Sequence, residues 1–208
     1  MAKGKGTSSK KAKQEYYIVA PEYFNSVNIG VTLAKDPKDL LGRTTVLNMR
    51  DLTGKLTLQG TRIKFYVTDV KGDKANTTVS EQEVAPSVIK RLTRRRRSKI
   101  EVVEDVSTKD SQVVRVKTDV FTAKRATTTQ RTAIRNALSL EVKNVAKEKQ
   151  YSDFIQEVAY GKLSTQLLGS CRKVAPVKRI EVRKTELLSR PKPVITKPEE
   201  KEQETPAA

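Results

Sequence analysis

The sequence contains no histidine, no tryptophan and a single cysteine, Cys171. Each absence removes a class of chemistry. Without histidine the chain lacks the commonest metal ligand and the usual general base near neutral pH. One cysteine can form neither an internal disulfide nor a CxxC zinc pair, so a reducing compartment is allowed. Cys171 stands near Leu167, Leu168 and Val174 and reads as a small buried hydrophobe rather than a reactive thiol. There is no GxxxxGK[ST] phosphate loop and no HExxH helix. The carboxylates are plentiful but form no metal or acid/base pattern. The chain therefore reads as a non-enzyme with no cofactor and no metal. Without tryptophan, any stacking must come from Tyr or Phe, and aromatics make up only 5%. No apolar run approaches the ~18 residues of a membrane-spanning helix. The basic N-terminus is followed by no apolar signal segment. With 208 residues and 36% hydrophobic content, one domain with a modest core and extensions is expected.

Positive charge is what the chain has in excess. Lys and Arg number 42 against 24 Asp and Glu, a formal net charge of +18. Such an excess repels itself, and a polyanion relieves it. Nucleic acid is the first candidate, because phosphate contacts release condensed counterions. The charge falls in four blocks. One is Lys90, Arg91, Arg94, Arg95, Arg96, Arg97 and Lys99. A second is Lys124, Arg125, Arg131 and Arg135. A third is Arg172, Lys173, Lys178, Arg179, Arg183 and Lys184. The fourth is an N-terminal arm with Lys3, Lys5, Lys10, Lys11 and Lys13. Any one block could be a solvated face. Four together argue for one extended anionic surface, with arginine clamping phosphate or stacking on unpaired bases. DNA is a weaker reading, since no helix-turn-helix, zinc finger or basic zipper is present. A membrane surface is weaker too, since the helices carry ordinary core-width stripes.

The periodicities give an order of elements. Residues 16–19 read as a strand left at Pro21, with an apolar cluster of Tyr23, Phe24, Val27 and Ile29 and unusual backbone at Asn28 and Gly30. Alternation predicts strands from Arg43, at Leu56 and Leu58, and through Ile63, Phe65 and Val67, with "DLTGK" and "DVKGD" as turns. A short strand is expected at 77–79. Ser80 and Glu83 have capping-box spacing, which predicts a helix over about 84–97 that ends in the arginine run. "KIEVVEDV" and "QVVRVKTDVF" read as a hairpin. A helix over about 129–148 carries the stripe Ile134, Leu138, Val142 and Val145. A second follows, capped by Asp153 or Gln156, and a third, broken from it by Gly161, carries Leu163, Leu167 and Cys171. "VKRIEVRK" reads either as a last strand of the sheet or as an extended tail on RNA. The expected fold class is α+β: a curved antiparallel sheet or β-barrel-like core with several packed helices. A basic flexible arm is expected over 1–14, one domain over 15–188 and a disordered Pro/Glu-rich tail over 189–208.

The ordered series of segments resembles the small-subunit ribosomal protein family known as S3a in eukaryotes and S3Ae in archaea, also called eS1. "YYIVAPEYFNSVNIGVTL" is similar to its aromatic, AP and NIG-TL signature through Ala20, Pro21, Phe24, Asn28, Ile29, Gly30, Thr32 and Leu33. "LGRTTVLNMRDLTG" is similar to its GR strand and turn. "RIKFYVTDVKG" keeps Phe65, Asp69, Val70 and Gly72. "VVRVKTDVFTAKR" keeps a basic exit at Phe121, Thr122, Lys124 and Arg125. The C-terminal third keeps Gly161, Lys162, Cys171, Pro176, Val182, Arg183 and Lys184. The likeness spans about residues 15–188. It implies a structural part in the small ribosomal subunit, in the cytoplasm, near the platform and the mRNA exit region. The implied partners are small-subunit rRNA, especially its 3′ region, and neighbouring small-subunit proteins. The run 94–97 is denser in arginine than the family pattern.

Overall fold

The computed structural model describes residues 13–58 and 60–189. The expectations for Lys3, Lys5, Lys10, Lys11 and the Pro/Glu-rich tail beyond Ser189 lie outside these residues.

Eight strands and five α-helices are formed among the described residues. The strands are β1 (Gln14–Val19), β2 (Asn28–Ala34), β3 (Thr44–Asn48), β4 (Thr61–Lys71), β5 (Lys74–Val84), β6 (Lys99–Ser107), β7 (Val113–Thr122) and β8 (Val177–Leu187). The helices are α1 (Met49–Thr53), α2 (Pro86–Leu92), α3 (Thr128–Glu148), α4 (Tyr151–Ala159) and α5 (Lys162–Arg172). The sheet runs β2-β1-β5-β8-β7-β6, with β4 and then β3 branching from β5. It is not purely antiparallel, because β1 pairs parallel with the first residues of β5, Tyr17 opposite Lys74. Nor is it a barrel: β2 and β6 end the path without pairing. The segment "VKRIEVRK" is a sheet strand, bonded along β7 from Thr122↔Val177 to Val114↔Leu187.

Alternation builds the core as expected. Ile63, Phe65 and Val67 of β4 are buried, as are Ile100, Val102 and Val106 of β6 and Val114, Val116 and Val120 of β7. Helices α3, α4 and α5 cover that face with Ile134, Leu138, Val142, Phe154, Ile155, Leu163, Leu167 and Cys171. The hydroxyl of Thr127 accepts from the Gln130 amide at 3.3 Å, and the Gln130 side chain accepts from Thr127 N–H at 3.1 Å. This capping box starts α3. Gly161, at φ 75°, makes the break between α4 and α5.

Several local expectations are corrected. Ser80 and Glu83 cap nothing, because they lie inside the eleven-residue β5. The run NTTVS has long β4 beside it, and pairing with an existing strand outweighs a local capping signal. Pro86 then ends the strand, since it has no N–H to give the ladder, and takes the first position of α2. That helix stops at Leu92, so the arginine run is a turn rather than a helix end. Thr93 closes it by donating both N–H and Oγ1 to Ile89 O, each at 3.0 Å. A longer helix would also stack like charges three and four residues apart. Leu56 and Leu58 lie in a 3-10 turn, not a strand, and Leu56 is exposed. "DLTGK" is mostly the end of α1, closed by Gly54 at φ 71°. The left-handed residues near Phe24 are Asn25 and Ser26, not Asn28 and Gly30, which sit in β2. Asp153 and Gln156 lie within α4, whose N-cap is Gln150.

Candidate nucleic-acid interface

The first three basic blocks are far apart in sequence, but their loops meet at one end of the sheet. The register puts Lys99, Phe121 and Arg179 side by side, so the start of β6, the end of β7 and the start of β8 share that end. Three connections leave from it: residues 93–98, 123–127 and 173–176. They are tied by a small polar knot. Ser98 N–H donates to Thr122 Oγ1 at 2.9 Å, and Thr122 N–H returns a bond to Ser98 O at 3.1 Å. The Thr122 hydroxyl donates in turn to the Lys124 carbonyl at 2.6 Å. Ser98 Oγ accepts from Ala126 N–H at 3.0 Å and from Arg131 Nη2 at 3.3 Å. Ala123 N–H donates to Pro176 O at 2.8 Å, which brings in the third connection. Ser98 and Thr122 are buried, so the bonds between them and the Ala126 bond to Ser98 are shielded from water.

The knot is covered by cations. Arg94, Arg95 and Arg96 are exposed and Arg97 is half-buried. Arg96 takes φ 61°, a left-handed conformation uncommon for a long side chain. It helps to turn the chain between α2 and β6. Lys124 and Arg125 are exposed in the second connection, and Arg172, Lys173 and Lys178 flank the third. Lys90 and Arg91 are exposed on α2, and Arg135 one turn along α3 from the half-buried Arg131. Lys13, at the opposite chain end, is exposed before β1. Among the described residues none of Arg94, Arg95, Arg96, Lys124, Arg125, Arg172, Lys173 and Lys178 has an ion-pair partner.

Four other predicted residues are placed differently. Lys99, Arg179, Arg183 and Lys184 lie on the sheet face turned away from α3, α4 and α5, among carboxylates. Lys184 Nζ is 2.7 Å from Glu186 and 3.3 Å from Glu81. Glu81 also holds Lys64 at 3.2 Å, and Glu186 holds Lys117 at 3.0 Å. Lys99 meets Glu101 at 2.6 Å, Arg179 pairs with Glu181, and Arg115 grips Asp105 through two bonds of 2.8 and 2.9 Å. This face neutralises itself. The Lys184 hydrogen bond holds the Glu186 carboxyl below the usual range, and the Lys99 bond does the same for Glu101. Burial pushes Glu81 upward, but Lys64 and Lys184 outweigh it and leave it lowered.

Asp119 is the exception on this face. It is 1% exposed, with Lys99 Nζ at 3.1 Å and Arg183 Nε at 4.0 Å. Neither carboxylate oxygen receives a well-directed hydrogen bond, although Lys99 stands close. Burial raises its pKa despite the two cations.

The knot residues Ser98 and Thr122 carry no signal as site residues in the sequence. They matter only because residues 24 positions apart come together. Among the described residues no group of three or more Asp, Glu, Cys or His could hold a metal ion. Among the same residues no helix is long and apolar enough to cross a membrane.

Comparison with known proteins agrees with this chemistry. Over residues 1–191 the chain matches the model of the Ribosomal S3Ae family. It is 40% identical over 181 residues to the small ribosomal subunit protein eS1 of Methanothrix thermoacetophila, covering 87% of this chain and 86% of that protein. It is 35% identical over 188 residues to eS1 of Desulfurococcus amylolyticus, covering 90% and 88%. Against eS1 of Sulfolobus acidocaldarius the identity is 37% over 183 residues, covering 88% and 93%. The chain belongs to the ribosomal S3Ae family.

Proposed function

We propose that this protein is a structural, non-catalytic constituent of the small ribosomal subunit in the cytoplasm, held on small-subunit rRNA by the basic end of its sheet. The observation that carries this is the convergence of residues 94–97, 124–125 and 172–178 on one end, with their cations uncommitted to carboxylates. Each phosphate neutralised releases counterion, so many weak contacts sum to tight, salt-dependent binding. The knot around Ser98 and Thr122 holds the three connections at fixed spacing, which lowers the ordering cost on binding. Lys3, Lys5, Lys10, Lys11 and Lys13 would make a separate RNA contact, since Lys13 precedes β1 at the end of the sheet away from residues 94–97. Lys99, Arg179, Arg183 and Lys184 serve the sheet first and the RNA second. By family likeness the RNA contacted includes the 3′ region, near the platform and the mRNA exit, beside other small-subunit proteins.

Sedimentation of the tagged protein from native extract through sucrose tests this reading. Retention with the small subunit at moderate salt and at roughly 0.5 M is expected for a built-in component. Release from the subunit at the higher salt would instead mark a peripheral RNA-binding factor.

A further inference from the structure

A cleft of about 900 Å³ opens beside the basic end, where the sheet splits. Strand β5 pairs with β8 only from Glu81↔Glu186 to Glu83↔Lys184. Beyond Val84 the chain turns into α2 at Pro86, while among the described residues β8 runs on to Val177 with β7 alone as partner. Both faces of β8 therefore line the cleft: Arg179 and Glu181 from one, Ile180 and Val182 from the other. Alternate backbone N–H and C=O groups of this stretch face an edge with no strand beside it. Gly60 lets α2 form the opposite wall, since a Cβ there would stand 2.7 Å from Val88 Cγ2.

We infer that this cleft receives an unpaired stretch of RNA, so that the protein reads single-stranded nucleotides as well as gripping phosphates. The inference rests on the RNA-binding function proposed above. Three guanidinium groups stand along the cleft, those of Arg62, Arg91 and Arg179. Among the described residues its only acidic lining residue, Glu181, is already taken by Arg179. That balance favours a polyanion over a peptide. Leu56, Tyr160 and Leu168 offer apolar and aromatic surface for base faces, and Asn48, Ser87 and Ser164 offer polar groups for base edges. The volume lies within the range of small-ligand clefts, and a duplex is far too wide to enter it. Continuity supplies the path. Arg91 belongs to the block that leads into residues 94–97, and Arg179 lies level with Lys99 at the basic end. A strand whose phosphates lie on the basic end needs only to continue inward to reach the cleft.

The test uses the full chain and two probes, a mixed-sequence single-stranded RNA of about 12 nucleotides and a hairpin duplex of similar length, with binding read by fluorescence anisotropy. Thr165→Trp, at an exposed position on the cleft wall, blocks entry, and Arg62→Glu reverses charge at the rim. Both are expected to weaken the single strand by about tenfold and to leave the duplex within about twofold. A 4-thiouridine probe is expected to crosslink to residues of β8 or the start of α5. Unchanged single-strand affinity in both variants, with crosslinks confined to residues 94–97 and 124–125, would overturn the inference and leave the RNA-binding reading standing. Failure of the unaltered protein to bind either RNA would sink both. An acidic peptide that binds, and that Thr165→Trp excludes while RNA binding is untouched, would make the cleft a protein-docking site instead.

Discussion

At the residue scale, two small residues set the geometry of the basic end and of the cleft. Thr122 accepts from the buried Ser98 N–H and donates to the Lys124 carbonyl. Thr122→Val keeps the shape and removes both bonds, leaving a buried donor unsatisfied. A loss of about 1–3 kcal/mol in urea denaturation is expected. RNA affinity should fall with it, since the spacing of the three connections relaxes. Gly60 is the second. An alanine there puts its Cβ against Val88 Cγ2, and overpacking of this kind costs about 1–3 kcal/mol. A thermal melt of Gly60→Ala that matched the unaltered protein would show α2 free to shift. Cys171 belongs to this scale as well. It is fully buried, and burial raises its pKa to about 11, so it stays an unreactive thiol.

At the element scale, basic residues divide into those on connections and those on strands. The connection 93–98 presents cations to solvent, while Lys99, Arg183 and Lys184 on strands face carboxylates across the ladder. Replacing Arg94, Arg95, Arg96 and Arg97 together by alanine should leave stability within about 0.5 kcal/mol of the parent. It should flatten the salt dependence of RNA binding by about 0.7 to 0.9 in slope for each phosphate that is no longer neutralised. Lys184→Ala should do the reverse. It loosens Glu81 and Glu186, worth at most about 1 kcal/mol for such half-exposed pairs, and leaves the salt slope unchanged. Equal slopes for the two variants would abolish the distinction. The Ile, Leu and Val stripe of α3 is legible in the sequence because it depends on near neighbours, but capping-box spacing alone does not decide, since it occurs at Ser80 and Glu83 inside β5 as well as at Thr127 and Gln130. The arginine run reads there as a helix end, whereas α2 is closed by Thr93 just before it.

At the scale of the whole molecule, charge balance sets a pH limit. Glu101, Glu104 and Glu186 are lowered mainly by hydrogen bonds, from Lys99, Ser139 and Lys184 respectively, and Glu81 is lowered in spite of its burial. A carboxylate lowered in the fold contributes stability above its unfolded value of about 4.3, which is lost as pH falls through the folded value. Asp119 has the opposite sign, since its raised value favours the fold as it takes up a proton. With Asp105, which Arg115 also lowers, five lowered groups outweigh one raised group, and added positive charge increases repulsion in a chain already at +18. The melting temperature is expected to fall between about pH 6 and about pH 3. A flat profile over that interval would show that the ion pairs contribute nothing to the fold.

What the sequence by itself determined is what depends on composition and short spacing. The absence of histidine and of cysteine pairs excluded the common catalytic and metal centres, the charge excess pointed to a polyanion, and alternation at Ile63, Phe65, Val67, Val114 and Val116 placed core strands. The tertiary structure decided what depends on distance along the chain. It made β5 long through its pairing with β4, kept the sheet open with one parallel pair, and gathered three basic connections at one end. It also turned Lys99, Arg183 and Lys184 toward carboxylates of neighbouring strands, and split β5 from β8 to open the cleft. The physical reason is range. Capping and periodicity act over a few residues, whereas strand pairing and ion pairing join groups whose partners no local pattern names.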